Sequence, residues 1–220
     1  MLLLIYPGDA FFWLSVVASV LGVLLSLITT PWKAFFSVSA RSLLWLGYWL
    51  VLTFVWSLRV PVSGVIAMHH TALTAAVFIF GWSLTLLLGV LALVANQLLQ
   101  PAPWFAFPGS VLLGVLMPVL AARIAFEVVN RIPVNNLFVF ILGGGFFGSV
   151  FTVAFSALAA WFWFWLTGAW SLRVVLADNL IIYALSAFPE GFIGGSVLTT
   201  VTVLWPDLVK NYDDNRYLSD

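Results

Sequence analysis

The feature that most constrains this chain is its succession of long apolar runs with almost no charge in them. Not one Asp, Glu, Lys or Arg occurs between Gly64 and Leu99, and comparable runs fill most of the remaining sequence. Only 7% of the 220 residues are charged, while 64% are hydrophobic. An ordinary soluble domain carries about 25% charged residues. A water-facing surface cannot be assembled from so few, and a soluble fold would expose apolar patches far beyond what monomers tolerate. The expected fold class is therefore an all-α integral membrane protein, with the bilayer as its main solvent.

A spanning helix takes about 20 mostly apolar residues. Ala10 to Thr29 supplies the first, ended by Pro31 and Lys33, and Ser42 to Leu58 the second, between Arg41 and Arg59. The run from Gly64 to Leu99 is too long for one span and divides at Gly81-Trp82. A glycine permits a tight turn and a tryptophan favours the interface. Gly64 to Phe80 and Trp82 to Leu99 are accordingly the third and fourth helices. Pro101, Pro103 and Pro108 mark a loop, and Pro108 to Phe126 is the fifth span. A polar break at Asn130, Arg131, Pro133, Asn135 and Asn136 precedes the sixth, Leu137 to Leu166, whose Trp161, Trp163 and Trp165 suit the interface. Asp178 to Val203 is the seventh, and Pro206 stops it. The expectation is one bundle of about seven transmembrane helices over 1–220, with a polar cytoplasmic tail at 207–220. The first apolar run reads as a helix of the mature protein, because no Lys or Arg precedes it and it is long enough to span.

Several function classes lose support at once. The absence of cysteine removes disulfides, thiolate metal sites and a cysteine nucleophile. A formal net charge of zero gives no reason to expect nucleic acid as a partner. Neither a His-Glu-x-x-His zinc motif nor a Walker sequence is present, so catalysis has little to rest on. Gly143-Gly144-Gly145 with Gly148 lacks a following lysine and sits in an apolar helix, which favours close helix packing over phosphate binding.

Three polar groups inside the apolar runs carry the functional reading. Glu190 falls in the middle of the seventh span, after Pro189 and before Gly191. A charge at that depth costs about 2.5 to 3.5 kcal/mol on insertion scales, so it should face protein or water. It serves either a substrate, ion or proton site, or helix packing. A silent Glu190→Gln would mark the packing role. His69 and His70 are the two histidines, with Met68 before them. Imidazole suits nickel, copper or zinc and a thioether suits copper. Adjacent helical positions are turned by about 100°, so the two rings would rarely share one ligand. The structural alternative is a histidine hydrogen-bonded to a neighbouring helix. His69 is expected to point into the bundle, and Glu190 to find a polar partner in His69, His70 or Asn96.

The order of these features resembles the membrane-embedded substrate-capture components of cobalt and nickel energy-coupling-factor ABC transporters. In that family a histidine is followed by small residues and, twelve positions on, by a glycine turn. Here His69 is followed by Thr71-Ala72-Leu73-Thr74-Ala75-Ala76, with Gly81 twelve residues on. Leu84 to Leu99 with Asn96-Gln97, Met117-Pro118, Arg131-Ile132-Pro133, Asn135-Asn136-Leu137-Phe138 and Glu190-Gly191 are similar to the following elements, so the resemblance covers about residues 42 to 218. It implies capture of a small substrate, here a nickel- or cobalt-type divalent ion, and separate ATPase and coupling membrane subunits. Metal-binding relatives begin Met-His and use that histidine and the terminal amine. Leu2 stands at that position here, so His69 is the family ligand that carries over.

Two functions follow as expectations. The first is a transporter component that captures a small substrate or a bound transition-metal ion (nickel, cobalt or copper). His69 would be the ligand, with His70, Met68 or Glu190 as helpers. The second is a non-transporting membrane subunit or assembly factor whose polar residues fix packing. The expected location is the cell membrane. Seven spans place Lys33, Arg41, Arg123, Arg131, Lys210 and Arg216 toward one side and Arg59 and Arg173 toward the other. The positive-inside rule makes the first side cytoplasmic, with the N-terminus outside. A reporter fused after Asp220 should therefore read as cytoplasmic. An external signal would overturn this topology.

Overall fold

The charge-free stretch that reads as two helices holds a strand, an irregular break and two helices among its described residues. A computed structural model describes residues 10–58, 60–63, 66–100, 102–134, 136–166, 180–213 and 217, and of residues 10, 60–63, 66–68 and 180–182 the backbone alone. In it, β1 (Val60–Ser63) pairs antiparallel with β2 (Ile66–Met68), with Val60 opposite Met68 and Pro61 opposite Ala67. Residues 69–72 belong to no regular element. Only then does helix α4 begin, at Leu73, and it ends at Phe80. The expected third span from Gly64 to Phe80 is thus corrected. The sequence of the two strands contains the β-branched residues Val60, Val62 and Ile66, and such residues give up less freedom in a strand than in a helix. The eight residues of α4 are about 12 Å long, less than half of a hydrocarbon core.

The other elements lie close to their expected places. They are α1 (Ala10–Thr29), the short α2 (Trp32–Ser37), α3 (Ser39–Ser57) and α5 (Trp82–Leu99). Next come α6 (Trp104–Asn130), α7 (Val139–Leu166) and α8 (Leu180–Leu204). Five of these, α1, α5, α6, α7 and the Tyr183–Leu204 part of α8, are long and apolar enough to cross a membrane. Helix α3 has 19 residues and turns Leu43, Leu50, Val51 and Phe54 outward. On α1, Trp13, Leu14, Val17, Leu21, Leu25 and Ile28 likewise face outward. Such a surface requires a lipid bilayer around it.

Helix α4 is the axis of the bundle. Every one of its residues is buried. Its neighbours are α5, α6, α7 and α8. Helices α3 and α5 run parallel beside it. The Trp45 Nε1–H donates to the Leu84 carbonyl at their start, Asn96 Nδ2 to the Thr53 carbonyl further along, and Gln100 Nε2 to the Ser57 carbonyl at the end. Two parallel helices need a return path between them. The ribbon, the irregular residues and α4 supply it. At its far end the Lys210 N–H donates to the Ile79 carbonyl and Asn211 Nδ2 to the Val77 carbonyl. The segment expected as a polar tail therefore lies against the bundle, with Val209 and Tyr217 buried.

Two further details differ from the sequence reading. Trp161 and Trp163 are buried, against Tyr183 and Phe11 respectively, while Trp165 is exposed. The glycine run serves packing, as expected, but in a π-helical stretch, Val139–Phe147, rather than an α-helical one. A Cβ on Gly145 would lie 2.8 Å from the Gly195 Cα of α8. Gly145→Ala should therefore cost roughly 1–3 kcal/mol, the usual cost of overpacking. Gly47, with nothing near its missing Cβ, should accept alanine without loss. Melting temperatures of the two variants in detergent check this. Equal melting would remove the close approach of α7 and α8.

Candidate functional site

The irregular break at residues 69–72, between β2 and α4, exposes backbone groups that a continuous helix would have paired. A buried N–H without an acceptor costs about 1–3 kcal/mol, and no water reaches the middle of a bundle cheaply. The acceptor here is Glu190, near the middle of α8 and only 2% exposed. Its Oε2 accepts from the Thr71 N–H at 3.0 Å, and its Oε1 from the Ala72 N–H at 2.6 Å. The Thr71 hydroxyl donates to Oε1 as well. His70 Nδ1 lies 3.1 Å from Oε2. Four donors thus converge on one carboxylate, and the N-terminal end of α4, where negative charge is favoured, follows immediately.

The same four-residue break is held from its other side by α3. The Tyr48 hydroxyl donates to the Ala72 carbonyl, and the Trp56 Nε1–H to the Thr71 carbonyl at 3.3 Å. Ala72 has φ of +49°, a left-handed conformation that costs a residue with a Cβ roughly 1–2 kcal/mol. Glu190 and Tyr48 bind its N–H and its C=O, so the strained residue is gripped at both of its polar groups. Tyr48, Trp56 and Thr71 are site residues that sequence reasoning missed. Tyr48 and Trp56 bond main-chain carbonyls, and Thr71 offers its own main-chain N–H as well as its hydroxyl to Glu190; main-chain groups leave no signature in side-chain spacing.

The expected site residues are only partly brought together. His70 and Glu190 meet, and His70 is the more open member, with 39% of its side chain exposed. His69 lies with its ring on buried Trp56, centroids 4.6 Å apart, and its Nδ1 3.1 Å from the His70 carbonyl oxygen. It therefore faces the bundle interior. Asn96 is buried elsewhere. Its Nδ2 donates to the Thr53 and Ala92 carbonyls, which ties α5 to α3, and no described bond joins it to Glu190. Met68 ends β2, and its side chain lies outside the described residues, as do Leu2, Arg59, Gly64, Asn135, Arg173, Asp178 and Arg216.

As a metal site, the described set is short of donors. His70 Nδ1 and Glu190 Oε2 form a pair. Among the described residues, no three His, Asp or Glu side chains converge. Transition-metal sites commonly use three or four protein ligands, and here both carboxylate oxygens already serve hydrogen bonds. Comparison with protein-family models, with curated proteins and with solved structures finds no match to this chain.

The geometry also corrects the expected meaning of Glu190→Gln. Both oxygens accept, so an amide would turn its NH2 toward donors that need an acceptor. The substitution should cost roughly 1–3 kcal/mol even if the residue is purely structural. A lowered melting temperature for the purified variant in detergent is the expected result. Wild-type melting would mean that the four donors have other acceptors.

Proposed function

We propose that this chain is the membrane-embedded component of a transporter and captures a small substrate at the broken third crossing. One observation carries the reading. A carboxylate buried near the middle of a spanning helix holds the start of a half-length helix, and half-exposed His70 links that carboxylate to the outside. Intramembrane ionisable groups beside discontinuous helices are where transporters place their substrate and ion sites. The order of His69, Gly81, Asn96-Gln97, Pro118 and Glu190-Gly191 along the chain supports the same assignment through its resemblance to cobalt and nickel capture components. On that reading the substrate is a divalent transition-metal ion that takes imidazole nitrogen from His69 or His70, with further donors completing the shell. ATP hydrolysis belongs to separate ATPase and coupling subunits. The chain resides in the cell membrane with its N-terminus outside, and its basic end, with Arg41, Arg123 and Lys210, on the cytoplasmic side.

A second reading has its own observation. The Glu190 oxygens are already engaged by protein donors, which is what a purely structural carboxylate in a non-transporting membrane subunit would show.

Metal analysis of the purified full chain, after incubation with nickel, cobalt or copper and removal of excess ion, separates the two. The transport reading expects about one ion bound per chain, and loss of most of it in His69→Ala or His70→Ala variants that still melt cooperatively. No bound ion in the wild type, or binding unchanged in both variants, would remove the metal-capture reading and favour the structural one.

A further inference from the structure

At the end of the bundle that carries Lys210 lies a cleft of about 550 Å³. Phe35 and Arg41 line it from the α2–α3 side, Phe80 and Leu84 from the α4–α5 turn, and Asp207 and Lys210 from the segment after α8. Two of these are cations, and neither forms an ion pair among the described residues. Arg41 directs Nη1 to the Ala34 carbonyl at 3.4 Å and Nη2 to the Asp207 carbonyl at 3.2 Å, and its Nε is buried without a partner. Lys210 is fixed by its own backbone, whose N–H is bonded to Ile79. Burial pushes its amine below the usual lysine range, and the charges of Arg123 and Arg41 push it the same way. Arg123 itself is paired with Glu127. Bringing like charges together in a partly dry cleft is unfavourable unless negative charge, from Asp207, Asp213 or a bound anion, joins them.

The surroundings say what kind of anion. Trp32 and Phe36 of α2 stack at 6.0 Å and are exposed, as is Leu43 of α3. A short helix with outward aromatics at the mouth of a spanning bundle belongs at the lipid headgroup level, where tryptophan anchors helices. Asp207 and Asp213 also line the cleft. They match the two cations in number, so the cleft has no surplus positive charge to hold a dianion, and a singly charged group gripped directly by Arg41 and Lys210 is the most it suits. A guanidinium and an ammonium are the two side chains that grip phosphate oxygens best, one as a fork and one as a point charge.

We propose that this cleft seats the phosphodiester headgroup of an anionic phospholipid, with Arg41 and Lys210 as its cationic ligands. Basic pockets between spanning helices recognise lipid headgroups in this way. The proposal is independent of what the broken crossing captures.

The test is thermal melting of the purified full chain in neutral detergent, with phosphatidylglycerol, phosphatidylcholine or inorganic phosphate added. Phosphatidylglycerol should raise the midpoint at least twice as far as phosphatidylcholine. The Arg41→Gln/Lys210→Gln double variant should lose most of that difference, and Lys33→Gln should keep it. An equal rise with phosphatidylcholine, or a difference that survives in the double variant, overturns the proposal. The same rise with inorganic phosphate assigns the cleft to a soluble phosphate and also overturns it. Should the double variant fail to fold, native mass spectrometry of the wild type decides. Preferential retention of phosphatidylglycerol supports the site, and equal retention of both lipids contradicts it.

Discussion

The carboxylate of Glu190 accepts from two main-chain N–H groups, a threonine hydroxyl and a histidine, and the interior of the bundle is arranged around those contacts. The reason lies in the solvent. A chain surrounded by lipid has no water with which to satisfy a broken helix, so every interruption must be closed by protein. Residues 69–72 are such an interruption. Helix α8 closes it on one side through Glu190, and α3 on the other through Tyr48 and Trp56. The fully buried α4 then runs from that junction to the segment after α8, where Lys210 and Asn211 bind its last carbonyls.

Glycine makes the arrangement possible. Helices α7 and α8 approach at Gly145 and Gly195 more closely than any residue with a Cβ would permit. The approach brings α8 against the π-helical part of α7 on one side and α4 on the other. Glu190 sits one turn before Gly194 on α8. The packing that glycine allows and the hydrogen bonds that Glu190 makes are thus neighbouring parts of one junction.

Much of this was legible in the sequence, and the rest failed for identifiable reasons. The long apolar runs gave α1 its bounds at Ala10 and Thr29 and α5 its bounds at Trp82 and Leu99, because hydropathy and proline report directly on spans. The sequence also indicated that Glu190 faces the bundle and has a polar partner, since a charge in an apolar helix must find one, but it left His69, His70 and Asn96 open as candidates, and the structure brings His70 to it. The ribbon at Val60–Ser63 and Ile66–Met68 did not. Hydropathy cannot separate an apolar strand from half of an apolar helix, and the β-branched residues there are few. Nor did the roles of Thr71, Ala72 and Tyr48, which act on or through the main chain. Asn96 was one of three candidate partners for Glu190, but a buried amide is satisfied equally well by the carbonyls of an adjacent helix, as Thr53 shows.

The central claim is that Glu190 holds the start of α4 in place through the Thr71 and Ala72 amides. Amide hydrogen exchange of the purified protein measures this directly. In the wild type the two amides should exchange slowly. In Glu190→Gln they should exchange roughly tenfold faster or more, equivalent to about 1.4 kcal/mol, while amides in the middle of α5 stay unchanged. Equal protection of Thr71 and Ala72 in both proteins would contradict the account.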